Sequence, residues 1–148
     1  MTPVTIALRL SAALWLIWGL VHILAGVIVL SNDAAGAVDA VADAVDLSGL
    51  DVAYPDAANA LINQHGFNLL WIGAATAIGS WFVWRHSVNA IFFNAIVGGV
   101  TDVGYFLFLD LGGYVNFMPG TLMTLISASA VILSFWAYFF GGLRRSTG

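Results

Sequence analysis

Apolar residues fall into four long blocks along the chain, separated by one long acidic stretch and two short polar connections. The first block, residues 5–30, extends about 39 Å as a helix at 1.5 Å per residue, more than the roughly 30 Å of a bilayer core. Blocks at residues 57–84, 87–111 and 119–140 are long enough to do the same. The pattern predicts one all-α membrane domain over residues 1–148: a four-transmembrane-helix up-and-down bundle with loop 31–56 outside. The first block is too long for the apolar core of a signal peptide and reads as a retained helix.

Within each block, small and polar residues recur on one helical face. The first block carries Ser11, Ala12, Trp15, Gly19, His22 and Gly26, and the second His65, Asn68, Ile72, Ala75 and Gly79. The third carries Asn94, Gly98 and Asp102, and the fourth Gly120, Thr124, Ser127, Val131, Ser134 and Tyr138. Apolar burial drives nothing between helices already in lipid, so such stripes mark the faces on which helices meet. Asp56 after Pro55 suits the start of the second helix, and Pro119 is placed to open the fourth at its first position. In the acidic loop, Val38, Val41, Ala42 and Val45 fall on one helical face and Asp39, Asp43 and Asp46 on another. With Asp33 and Asp51 they form either a short amphipathic lid on the membrane surface or a solvated loop.

Composition then narrows the function classes. The chain is 61% hydrophobic and 8% charged, with a mean hydropathy of +0.95, outside the soluble range. Its net charge of −4 and the lack of any basic cluster larger than Arg144–Arg145 exclude nucleic acid as a partner and leave the lipid bilayer. Without cysteine there is no disulfide, thiolate metal site or thiol redox chemistry. In a four-pass chain Arg9, Arg85, Arg144 and Arg145 share one side, and the acidic loop and Asp110 share the other. The positive-inside rule therefore puts both termini in the cytoplasm of a cell-membrane protein. Trp81, Trp84, Trp136 and Tyr138 gather toward that inner interface and Tyr114 toward the outer one.

Candidate chemistry lies in the outer half. A charged Asp102 deep in the third block costs about 2.5–3.5 kcal/mol on insertion scales, so it should be paired, protonated or turned inward. His22 and Asp102 each lie roughly 12–14 Å below the outer ends of their helices, which predicts that they face each other. Asn68 comes within a turn of that level, Tyr105 is one turn from Asp102, Asn94 continues its stripe, and His65 is nearer the mouth. These residues predict a site for a small lipophilic or proton-exchanging ligand, such as a quinone. The same pair could instead only hold helices together, with the hydroxyl seam of the fourth block packing a homo-oligomer or a membrane-complex subunit. Haem ligation by His22 and His65 would need similar depths, but they differ by about two turns. A metal set of His22, His65 and Asp102 lacks compact spacing, and no nucleotide loop or nucleophile elbow occurs.

The first block, LRLSAALWLIWGLVHILAGVIVL, has a basic residue at its inner start and a histidine and a glycine toward its far end. It resembles the first helix of DoxX-like small four-helix membrane proteins. That resemblance implies a four-helix membrane fold and a loose link to quinone or thiol redox processes, of which a chain without cysteine retains only the quinone side. It implies no particular site residue.

Overall fold

A computed structural model describes residues 1–42 and 52–143. Asp43, Val45, Asp46 and Asp51, the side chain of Ala42, and Arg144 and Arg145 lie outside the described residues. Among the described residues the fold is all-helical, in the order α1 (Pro3–Ser31), α2 (Ala34–Ala42), α3 (Asp56–Trp84), α4 (Val88–Asp110) and α5 (Phe117–Phe139). All but α2 are long and apolar enough to cross a membrane.

Local sequence sets where these helices begin. Thr2 caps α1 by accepting from the Thr5 N–H at 3.2 Å, and Pro3 follows where its missing N–H costs nothing. Asp33 accepts from Gly36 N–H at 3.0 Å to start α2, and Ser87 caps α4. Between α3 and α4 the chain turns through His86 in the left-handed region, φ 65°. Pro119 does not open α5 at its first position. A turn over Phe117–Thr121 is broken at Met118, whose extended backbone (φ −113°, ψ 124°) suits a residue before proline, and regular α-helix runs over Leu122–Phe139.

The centre of the molecule is α1. Glycines bring it against α3: a Cβ on Gly19 would lie 2.7 Å from the Gly73 carbonyl oxygen, and one on Gly26 would lie 2.7 Å from that of Gly66. Contact positions thus fall along α3 as they rise along α1. The α5 contacts follow the same order, from Val4 beside Gly141 to the Ser11 hydroxyl, which donates to the Ala130 carbonyl at 2.8 Å. Between helices apolar enough to cross a membrane, burial of side chains away from hydrocarbon gains nothing, and close backbone approach and such hydrogen bonds are what hold them.

Of the stripe expected to face inward on α3, Gly79 is buried, but the rest of the buried face is shifted. The whole face consists of Gly66, Leu69, Gly73, Thr76, Gly79, Ser80 and Val83, rotated by about one residue, or about 100°, from the His65–Asn68–Ile72–Ala75 stripe. Close approach to α1 decides the face, and only the glycines permit it.

Two π-helical turns, Ala95–Gly99 and Phe106–Asp110, interrupt α4. In a regular α-helix residues eight apart diverge by about 80°, and the extra residue in a π-turn removes about 100°. Asn94, Asp102 and Asp110, each separated from the next by one π-turn, are thereby returned to nearly one line. At the opposite end of the bundle from α2, Arg9 lies over the Trp84 ring at 4.9 Å and Arg85 over Trp81 at 5.9 Å.

Candidate functional site

Asp102, only 3% exposed, is brought against α1 by the π-turn that precedes it. That turn also seats Gly98 beneath Trp15, where a Cβ would lie 2.5 Å from the indole ring. The indole Nε1 of Trp18 donates to the carboxylate, hydrogen-bonding Oδ2 at 2.7 Å. His22 is one turn further along α1, with Nε2 3.9 Å from Oδ1 of Asp102. Its ring stacks on Trp18, centroids 3.6 Å apart and planes 21° from parallel.

The His22 tautomer follows from its other nitrogen. Nδ1 is 2.8 Å from the Trp18 carbonyl oxygen, which can only accept, so Nδ1 carries a hydrogen. Nε2 is then the atom that gains or loses a proton facing Asp102. A separation of 3.9 Å is too long for a direct hydrogen bond, and it leaves both atoms able to bind a third group between them.

This pair lies on the wall of a cavity of about 370 Å³, within the range of small-molecule sites. His65, Thr101 and Tyr105 are its other polar lining, and Ala25, Leu69, Phe108, Leu109 and Met123 supply apolar walls. Ala40 and Val41 of α2 close one side, held there by the packing of Ala37 and Val41 against Val29 and Leu69. Ala34–Ala42 of the acidic loop is therefore a helix on the rim of the cavity.

Of the residues expected in the site, His22, Asp102, His65 and Tyr105 come together around this cavity. Asn68 and Asn94 do not. Asn68 accepts from the Trp71 indole at 3.1 Å, on its own helix. Asn94 is fully buried and donates to the Thr76 carbonyl at 3.2 Å, tying α4 to α3. Trp18 was absent from the expected set because tryptophan in an apolar run reads as lipid-facing or core. A buried indole N–H needs an acceptor, and Trp18 stands one turn from His22, which are the two signals that could have found it.

Asp110 has a role beyond marking the end of its helix. Its carboxylate accepts from the Thr121 hydroxyl and, at 3.0 Å, from the Thr124 hydroxyl, fastening the end of α4 to α5. Among the described residues, no three His, Cys, Asp or Glu side chains form a group that could hold a metal ion. Comparison with protein-family models, with curated proteins and with solved structures gives no match.

Proposed function

We propose that this chain is a multi-pass protein of the cell membrane whose cavity binds a small lipophilic, proton-exchanging ligand, with a quinone head group as the leading class. The observation that carries this reading is the cavity itself: apolar walls converging on an Asp102 carboxylate and a His22 Nε2 that stand 3.9 Å apart. A quinone carbonyl accepts a hydrogen bond and the corresponding quinol hydroxyl donates one. An Asp–His pair in which one group carries a proton and the other does not can serve either form. The apolar walls suit a hydrocarbon substituent, and Tyr105 and Thr101 add hydroxyls at the same site.

In this reading the four long helices form an up-and-down bundle with both termini cytoplasmic and the acidic loop outside. Arg9 and Arg85 stacking on tryptophans at one end, with α2 and Asp110 at the other, supports that orientation. The alternative of a non-catalytic oligomer-forming subunit draws less support. The hydroxyl seam of α5 is spent within the chain: Thr124 bonds Asp110, and Ser127 and Ser134 are buried and donate to carbonyls of their own helix.

The test is quenching of tryptophan fluorescence in the purified protein, in micelles, by a short-chain benzoquinone and a short-chain naphthoquinone. Saturable quenching is expected in the wild type and its loss in His22→Ala and Asp102→Asn, with helical circular dichroism retained. Equal binding by all three proteins removes the proposal.

A further inference from the structure

Asp102 faces more than the His22 cavity. A second groove, about 480 Å³, opens between α4 and α5, and its polar lining is Asp102, Thr124 and Ser127, set among Phe92, Val100 and Phe135. Thr124 donates to Asp110, whose other oxygen accepts from Thr121, at the same end of the bundle as α2. Ser127, one turn deeper on α5, donates to the Thr124 carbonyl at 3.0 Å and lines the groove beside Asp102. Two carboxylates that the second π-turn returns to one line of α4 are thus joined by hydroxyls on the facing helix.

We infer that Asp110, Thr124 and Ser127 form a proton route between the α2 end of the bundle and Asp102. Residues one turn apart hold their Cβ atoms about 5–6 Å apart, and one water spans that gap with two hydrogen bonds of about 2.8 Å. The groove gives such a water room and at least three polar partners. In the inward direction a proton on Asp110 passes to the Thr124 oxygen as the Thr124 O–H turns to the water. The water then passes a proton to Ser127, whose own O–H turns from the Thr124 carbonyl to Asp102. One proton moves from Asp110 to Asp102 and every hydroxyl is regenerated. The titratable groups facing Asp102 are His22 of α1, His65 of α3 across the cavity, and Tyr105 and Asp110 of α4. The described part of α5 brings only hydroxyls, and Asp39 of α2 is exposed.

This route extends the proton-exchange reading of the Asp102 site, and its test uses no quinone, so the two fail separately. Purified protein in liposomes is subjected to a rapid change of external pH, and the carbonyl stretch of protonated Asp102 is followed by infrared absorption, assigned by its loss in Asp102→Asn. Thr124→Val and Ser127→Ala should each slow the appearance of the band by about a hundredfold, as loss of a proton-transfer group typically does, and Thr124→Ser should restore it. Asp110→Asn should slow it as well. Wild-type rates in Ser127→Ala and Asp110→Asn, equal slowing in Thr124→Ser, or an Asp102 band that does not respond to external pH would each overturn the route.

Discussion

The indole of Trp18 donates to Oδ2 of Asp102 at 2.7 Å, while His22 stands 3.9 Å from the other oxygen. One carboxylate oxygen is therefore held by a group that never titrates, and the other faces one that does. Trp18→Phe removes the fixed donor and leaves a buried acceptor without it, at a cost of about 1–3 kcal/mol. Detergent unfolding of Trp18→Phe, Asp102→Leu and the double variant should give a coupling of at least about 0.5 kcal/mol. Additive losses would show that the indole and the carboxylate do not stabilise each other.

Close approach of α1 and α3 makes Gly73 intolerant of any side chain, since a Cβ there would lie 2.6 Å from the Gly19 carbonyl oxygen. Gly73→Val should destabilise the protein by about 1–3 kcal/mol or more through forced separation of the helices. Gly104, with nothing within 4 Å of a Cβ, is the control, and Gly104→Ala should unfold at the wild-type detergent concentration.

Because Ala40 is exposed on the cavity rim, Ala40→Trp should crowd the opening while leaving the Val29–Ala37–Leu69 packing of α2 in place. Benzoquinone affinity is expected to fall about tenfold, equivalent to about 1.4 kcal/mol, with stability unchanged. An unaltered affinity would mean that the ligand reaches His22 without passing α2.

The chain contains no cysteine, so single cysteines report orientation without background. In sealed right-side-out vesicles, Asp39→Cys should react with a membrane-impermeant maleimide and His86→Cys should react only after the membrane is permeabilised. The reverse pattern would invert the proposed orientation.

The four apolar blocks made the long helices legible, because bilayer thickness leaves few other uses for runs of that length. Depth counting also brought His22 and Asp102 to one level, since rise per residue is nearly constant in a helix. Rotation was harder to read. On α3 the His65–Asn68 stripe looked inward by polarity, but Gly66 and Gly73 take the inward positions because only they admit the α1 backbone. Trp18 was hidden by its own chemistry, being apolar in bulk and polar at one atom. The bonds of Asp110 to Thr121 and Thr124 join residues on two helices, and nothing in either segment alone marks the partnership.

A π-turn differs from an α-turn by a single accommodated residue, and hydrocarbon is blind to it: were Ala95–Gly99 wound as α-helix, α4 would be just as hydrophobic. Everything beyond that turn would swing by about 100°, carrying Asp102 away from the Trp18 indole toward hydrocarbon or a different neighbour. Membrane insertion and site assembly therefore obey separate constraints within the same helix. A chain of this kind can lose its polar site to the winding of one turn and keep every feature that suits its helices to a membrane.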